Sequence, residues 1–233
     1  MLLVVIALAA FSSTIAGGVL ALKLRDQLHL VLGFSAGAVI GVAFFDLLPE
    51  AIAFGGTFHS PSTIMTYTAL GFLAYLVLDR ILLFHGDAAS RGPVAAGVLC
   101  IHSLLDGVAI GLAFQASHQV GIVVAIAVLT HDFSDGINTM NIVLKNRGER
   151  RQAVRWLVAD ALAPALGVAS THFYRLPAAA LGAALALFAG FFLYIGASDL
   201  IPESYHAHPK FLTTAMTLAG AAVLYLAIAL VGQ

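Results

Sequence analysis

Cysteine and charged residues are scarce in this sequence. Cys100 is the only thiol among 233 residues, which excludes an internal disulfide and a metal cage built from cysteines. Charged residues make up 10% of the chain, whereas a soluble domain carries about a quarter. The formal net charge of −1 gives no indication of a nucleic-acid partner. Because 61% of the residues are hydrophobic, the composition indicates a chain surrounded mainly by membrane lipid.

Apolar runs long enough to cross a bilayer, which takes about 20 residues, occur eight times. They cover about 1–22, 28–54, 64–85, 94–116, 120–144, 153–174, 178–201 and 211–231. Only helices and closed barrels satisfy the backbone in lipid, and runs this long and apolar favour helices. The short loops leave no room for a soluble domain. We therefore predict an all-α polytopic membrane protein with a single transmembrane domain over residues 1–233.

The basic residues indicate how the chain is oriented. If the N-terminus lies outside, ten of the 11 lysines and arginines fall in inner loops or at inner helix ends, and only Arg175 falls outside. Cytoplasmic loops are generally enriched in basic residues. We therefore predict that both termini lie outside the cytoplasm, in a protein of the bacterial plasma (inner) membrane.

Two segments of the sequence resemble each other. "FSAGAVIGVAFFDLLPEA" (34–51) and "LFAGFFLYIGASDLIPES" (187–204) share an Ala-Gly pair followed, at the same distance, by Asp-Leu-x-Pro-Glu. They end the second and seventh spans, which run in opposite directions. Such inverted repeats are typical of secondary transporters, although Asp-Leu-x-Pro-Glu can also be a helix end with a proline stop. The repeats predict acidic groups at the outer and inner mouths of a transport path: Asp46 and Glu50 outside, Asp199 and Glu203 inside.

A shorter repeat lies in the fourth and fifth spans. "HSLLDG" (102–107) corresponds to "HDFSDG" (131–136). In each copy the histidine and the aspartate are four residues apart and share one helix face. Glycine follows each aspartate, and we expect Gly107 and Gly136 to let these two helices approach closely.

The charge in these spans needs compensation. A charged group at the membrane centre costs at least about 2.5–3.5 kcal/mol, and no lysine or arginine accompanies Asp106, Asp132 and Asp135 in the two spans. Three carboxylates cannot all stay ionised together in a low dielectric, so they need protons or a cation. Two imidazoles with carboxylates suit a divalent transition ion such as zinc, iron or manganese. The plainer alternative is a set of polar groups that hold helices together.

These features together resemble the ZIP (Zrt/Irt-like) family of divalent-metal transporters, over essentially the whole chain. The resemblance implies eight helices in a 3+2+3 arrangement with inverted repeats, a homodimer, and a mid-membrane site, often binuclear, from which metal moves toward the cytoplasm. Carried over by position, the resemblance implies a first metal site of His102, Asp106, His131 and Asp135. It also implies a second site at Ser103 and Asp132, bridged by Asp106 and Asp135.

The sequence departs from the family pattern at several positions. Ser103 stands where asparagine is usual, and Leu105 and Ser134 stand where proline often precedes the acid, so weaker helix kinks are expected. In "DALAPALG" of the sixth span, Ala163 stands where the family often has glutamate. Asp160 lies one turn earlier and either substitutes as a second-site ligand or contributes to packing.

Several functions remain compatible with the sequence. A carrier that alternates access to a midplane site is favoured, with Asn138 and Asn141 forming a polar exit route along the fifth span. An intramembrane zinc-dependent hydrolase is the alternative, although the chain has no His-Glu-x-x-His motif. A non-transporting metal sensor would need a soluble signalling part. Zinc is the first choice of cargo, and iron, manganese, cobalt and cadmium are compatible with the same ligands.

Overall fold

The structure, a computed structural model, describes residues 2–20, 28–84, 91–145, 149–206 and 211–231. The helices are α1 (Leu2–Leu20), α2 (Leu28–Val42), α3 (Leu48–Gly55), α4 (Pro61–Phe84), α5 (Arg91–Ala116), α6 (His118–Lys145), α7 (Arg150–Ser170), α8 (Ala178–Tyr194), α9 (Ile201–His206) and α10 (Phe211–Val231). Two π-helical segments, Ala43–Leu47 and Ile195–Leu200, join α2 to α3 and α8 to α9. No strand occurs within these described ranges.

Eight helical stretches in the described residues are long and apolar enough to cross a membrane. This confirms the predicted all-α protein with eight spans. The third span begins at Pro61, three residues before the predicted start, because the Ser60 hydroxyl accepts a hydrogen bond from the Thr63 backbone N–H (3.3 Å) and proline suits the first helical position. The predicted span ends at residues 22 and 85, and the loop residues Lys23, Arg25, Arg147 and Lys210, lie outside the described residues.

The chain divides into two compact units. The first contains Met1–Arg25, Val77–Gly111 and Asp132–Phe173; the second contains Asp26–Leu76, Leu112–His131 and Tyr174–Gln233. Helices α4, α5 and α6 each contribute residues to both units, and the division of α6 falls between His131 and Asp132.

Glycines allow two close helix crossings in the first unit. A Cβ atom on Gly136 of α6 would collide with the backbone of Thr14 in α1, and one on Gly17 of α1 would collide with the backbone of Phe133. The prediction that Gly107 and Gly136 bring α5 and α6 together is therefore wrong for the glycines themselves. Each glycine directly follows its aspartate in the sequence and is therefore turned about 100° around the helix from it. Gly107 faces α7 and Gly136 faces α1.

The second crossing of this unit has the same design. A Cβ atom on Gly107 of α5 would collide with the backbone of Pro164 in α7, and one on Gly167 of α7 would collide with the carbonyl of Leu104. The crossing of α5 with α7 thus corresponds, residue for residue, to the crossing of α6 with α1. The short sequence repeat is also a repeat in packing.

The second unit repeats the pattern in its own helices. Gly37 of α2 lies against the backbone of Thr217 in α10, and Gly190 of α8 lies against the backbone of Thr68 in α4. Gly37 and Gly190 occupy equivalent positions in the segments 34–51 and 187–204. The contacts support the inverted repeat that the sequence predicts.

Both copies of Asp-Leu-x-Pro-Glu lie where the helix widens and continues. Pro49 and Pro202 have no N–H, and a proline ring crowds the carbonyl four residues earlier. The preceding residue in each copy therefore bonds five residues back: the Leu48 N–H donates to the carbonyl of Ala43, and the Ile201 N–H donates to that of Gly196. The motif is thus a π-helical insertion and does not end the helix, since α3 and α9 follow directly.

Candidate metal centre

Helices α5 and α6 carry two histidines and two aspartates that lie together. His102 and Asp106 are one turn apart on α5, and His131 and Asp135 are one turn apart on α6. One ligand atom from each of the four lies within 4.8 Å of all the others. His131 is positioned through α6 itself, since it lies one turn before Asp135 in an unbroken helix.

The four side chains are shielded from solvent and close enough to share one ion. Their exposed fractions are 3% for His102, 2% for Asp106, 0% for His131 and 3% for Asp135. The His102 Nε2 atom lies 3.2 Å from Asp106 Oδ2 and 3.5 Å from Asp135 Oδ2. These separations allow a nitrogen and two oxygens to turn toward one cation, because ligands on a metal at about 2.0–2.2 Å are themselves about 3–3.5 Å apart.

The orientation of His131 suits metal binding. Its Nδ1 atom lies 3.0 Å from the carbonyl oxygen of Ala127, which can only accept a hydrogen bond, so Nδ1 carries the proton. Nε2 then presents its lone pair, the arrangement in which a second partner fixes the tautomer of a metal-binding histidine. The ring of Phe192 meets the imidazole edge-on at 6.0 Å, within the second unit.

No basic residue lies near these ligands in the sequence to balance their negative charge. No lysine or arginine occurs between Gly92 and Leu144. Asp132 is 1% exposed, and neither of its carboxylate oxygens has a hydrogen-bond partner among the described residues. A buried ionised carboxylate in that condition needs a cation or a proton nearby.

Two of the predicted second-site residues, Ser103 and Asp160, are hydrogen-bonded to each other. The Ser103 hydroxyl donates to Asp160 Oδ1 (2.7 Å), and the Thr139 hydroxyl donates to Asp160 Oδ2 (2.7 Å). Asp160 is 0% exposed, and it lies outside the four-residue cluster. Sequence reasoning missed Thr139. Its spacing of four residues from Asp135 was the available signal, because that spacing puts both side chains on one face of α6.

The predicted path residues are not among the four residues of the cluster. Asn138 and Asn141 are half-buried on α6, beyond Asp135. Asp46, in the first π-helical segment, is 6% exposed, and its Oδ2 atom has no hydrogen-bond partner among the described residues. Glu50 and Asp199 are half-buried and Glu203 is exposed. The positions where family members often have proline, Leu105 and Ser134, lie within helices α5 and α6, which continue through the site as α-helix.

Comparison with known proteins identifies the family. The sequence model described as "ZIP Zinc transporter" matches residues 94–228, more than half of the chain. Zinc transporter ZupT of Corynebacterium aurimucosum is 25% identical over 245 residues, covering 94% of this chain and 92% of that protein. Zinc transporter ZIP13 of Pongo abelii is 24% identical over 192 residues, covering 76% of this chain. Zinc transporter YKE4 of Saccharomyces cerevisiae is 23% identical over 219 residues, covering 77% of this chain.

The alignments with this chain cover different fractions of the three relatives. The chain spans 58% of the Pongo abelii protein and 62% of the yeast protein, but nearly all of the bacterial one. The match of the family model includes both ligand-bearing motifs, 102–107 and 131–136. With eight helices able to span a membrane in its described residues, the chain is an integral membrane protein that belongs to the ZIP zinc transporter family.

Proposed function

We propose that this protein carries a divalent transition-metal ion, foremost zinc, across the membrane toward the cytoplasm. The observation that carries the proposal is the buried cluster in which four ligand atoms from His102, Asp106, His131 and Asp135 lie within 4.8 Å of one another. Two imidazole nitrogens and two carboxylate oxygens match the donors and the coordination number that Zn²⁺ prefers. The relatives named as zinc transporters support the same cargo. The family is one of transporters and not of enzymes.

In this proposal the cation balances the buried negative charge. Two carboxylates lose their hydration when α5 and α6 bury them, and a dication at the cluster recovers much of that lost free energy. The same electrostatics explain why the cargo would be a divalent cation and not an anion. We assign Asp132, with its two buried oxygens, as a further oxygen donor to cargo. A second site formed with Ser103 and Asp160 remains a prediction.

We further propose a route through the membrane with both termini outside the cytoplasm. Asp46 and Glu50 form the outer mouth, Asn138 and Asn141 form the exit stripe along α6, and Asp199 and Glu203 form the inner mouth. The matching π-helical segments at the two mouths support this assignment, because π-helical insertions are frequent at functional sites. The bacterial inner membrane and a homodimer also remain predictions.

Zinc flux into sealed vesicles tests the proposal. Purified protein in vesicles that contain a zinc-sensitive dye should give uptake that saturates with zinc concentration and that cadmium, cobalt or manganese inhibits by competition. Protein-free vesicles are the control. Uptake no faster than in the control vesicles, with the folded protein verified in the bilayer, would contradict transport. Hydrolysis of an amide or lipid substrate without ion flux would favour the zinc hydrolase.

Asn138→Leu is expected to lower the maximal rate of zinc uptake by about 10-fold while leaving bound zinc per protein unchanged. The amide is half-buried, one turn beyond Asp135, where it would solvate the ion after it leaves the cluster. Leucine removes that solvation without touching the four ligands, and losing one hydrogen-bond-like contact to a charged species costs about 1.5–3 kcal/mol. Initial rates measured over a range of zinc concentrations separate the two effects.

Met140→Leu on the same helix is the matched control. Met140 is 4% exposed and lies between the two asparagines, and a volume-conserving apolar exchange is usually well tolerated. Its maximal rate should stay close to that of the wild type. An Asn138→Leu rate equal to that of Met140→Leu would exclude Asn138 from the route.

A further inference from the structure

Asp160 of α7 joins the two helices that carry the metal ligands. Its two carboxylate oxygens accept hydrogen bonds from Ser103 on α5 and from Thr139 on α6, each at 2.7 Å. We call these three residues the α7 bracket. All three are nearly inaccessible to solvent, at 2% for Ser103 and 0% for Thr139 and Asp160. The bracket lies entirely within the first unit.

The bracket is adjacent to the ligands along both helices. Ser103 directly follows His102, and Thr139 lies one turn after Asp135 on the same face of α6. Hydroxyl-to-carboxylate bonds of this length are in the strong, charge-assisted range. These bonds lie close to His102 on α5 and to Asp135 on α6, so a small rotation of α5 or α6 would both stretch a bond and move a metal ligand. A metal site needs its ligands held within about 0.5 Å and 10–20° of the productive geometry.

A close crossing brings α7 to this position. Gly107 and Gly167 allow the backbones of α5 and α7 to touch at Pro164 and Leu104. Asp160 lies one turn before Pro164, and Ser103 lies one turn before Gly107. The crossing therefore fixes the height of the carboxylate relative to the Ser103 hydroxyl.

In the other half of the repeat, the positions equivalent to Asp160 and Thr139 are apolar, whereas Asp132 is equivalent to Ser103. The correspondence of Gly167 with Gly17, and of Gly107 with Gly136, relates Asp160 to Ala10 of α1 and Thr139 to Ile110 of α5. Ala10 and Ile110 are both fully buried. Alanine and isoleucine side chains cannot form hydrogen bonds, whereas Asp160 of α7 binds both ligand helices through the Ser103 and Thr139 hydroxyls.

We propose that Asp160 is a positioning residue that fixes α5 and α6 through the Ser103 and Thr139 hydroxyls and does not itself bind the transported metal. Both of its oxygens already accept hydrogen bonds, and the four ligand atoms gather without it. The inference rests on the proposed transport function. It gives Asp160 and Ser103 a role different from the second-site ligands that the sequence predicts.

The test uses Co²⁺ as a spectroscopic probe, because its visible absorption responds to ligand geometry. Thr139→Val keeps the shape of the side chain but removes the hydroxyl. We expect it to bind one Co²⁺ with an altered absorption spectrum, and to raise the KM for zinc uptake by about 10-fold, the size expected for loss of one hydrogen bond to a charged group. Asp160→Asn should act in the same direction. Thr139→Ser, which keeps a hydroxyl, should restore both readings.

Thr130→Val is the matched control on α6. Thr130 directly precedes His131, but its hydroxyl donates only within its own helix, to the carbonyl of Ile126 (2.7 Å). Its Co²⁺ spectrum and KM should match those of the wild type. Equal readings for Thr139→Val and Thr130→Val would overturn the bracket. So would loss of Co²⁺ in Asp160→Asn with a wild-type spectrum in Thr139→Val, because that pattern identifies Asp160 as a ligand. A wild-type protein that binds no Co²⁺ and transports no zinc would refute the proposed function itself.

Discussion

Asp135→Asn is expected to reduce the initial rate of zinc uptake by at least about 100-fold. Asparagine has nearly the volume of aspartate, so the change removes charge and leaves packing intact. Asp135 is 3% exposed and lies 3.5 Å from His102 Nε2, and it supplies one of the two carboxylates in the four-residue cluster. Loss of an outer-shell partner already costs 10–100-fold in metal affinity, and loss of a ligand should cost more. Flux into dye-loaded vesicles measures the effect.

Metal content distinguishes a binding defect from a folding defect. Wild-type protein washed in detergent should retain zinc, and the double variant Asp106→Asn with Asp135→Asn should retain much less at the same elution volume. Glu149→Gln makes the same chemical change at an exposed residue that precedes α7, and it should behave as wild type. Zinc uptake by Asp135→Asn within twofold of that of Glu149→Gln would refute the metal centre.

The ligand cluster was predictable because it depends on local spacing. A histidine and an aspartate four residues apart must share a helix face, and two such faces without basic residues have few other uses in a membrane. The sequence therefore identified His102, Asp106, His131 and Asp135 as candidates before any contact was known, and the structure brings their ligand atoms together. The eight spans were predictable for a related reason, since bilayer thickness sets their length.

The helix partners of the glycines were not predictable. Gly107 and Gly136 indicate close approach, but only the packed structure specifies that Pro164 and Thr14 supply the opposing backbone. The hydrogen bond between Thr139 and Asp160 was not predictable either, because the two residues are 21 positions apart in the sequence and lie on different helices. Contacts between residues that are far apart in the sequence produce no repeating pattern that can be recognised in a single sequence.

The prolines illustrate a local rule that the membrane changes. A proline inside a helix removes one hydrogen bond and crowds the preceding turn, so it often ends or kinks the helix. Membrane-spanning helices tolerate proline because local π-helical adjustments restore the backbone hydrogen bonds, and here the chain widens by one residue at Ala43–Leu47 and at Ile195–Leu200 and then resumes its helix. The sequence predicts where both prolines act, but either a helix end or a widened helix is compatible with it.

Gly107→Ala is expected to destabilise the protein by about 3 kcal/mol, at the upper end of the usual cost of overpacking. The added Cβ would collide with backbone atoms of Pro164 in α7, and a backbone cannot rotate aside as a side chain can. Separating α5 from α7 would also stretch the hydrogen bond from Ser103 to Asp160 and loosen Asp106, the residue before the glycine. Both the thermal midpoint in detergent and the retained zinc should therefore fall.

Gly97→Ala provides the comparison on the same helix and against the same neighbour. There the added Cβ would lie 3.7 Å from the Trp156 ring of α7, an ordinary van der Waals contact. Alanine is also a better helix former than glycine by about 0.8–1.0 kcal/mol, so the thermal midpoint should stay the same or rise. Of these two identical substitutions, ten residues apart on α5, only Gly107→Ala should thus lower the thermal midpoint. If both lower the midpoint equally, the cost comes from helix α5 in general, and the close crossing at Pro164 does not hold Asp106 in position.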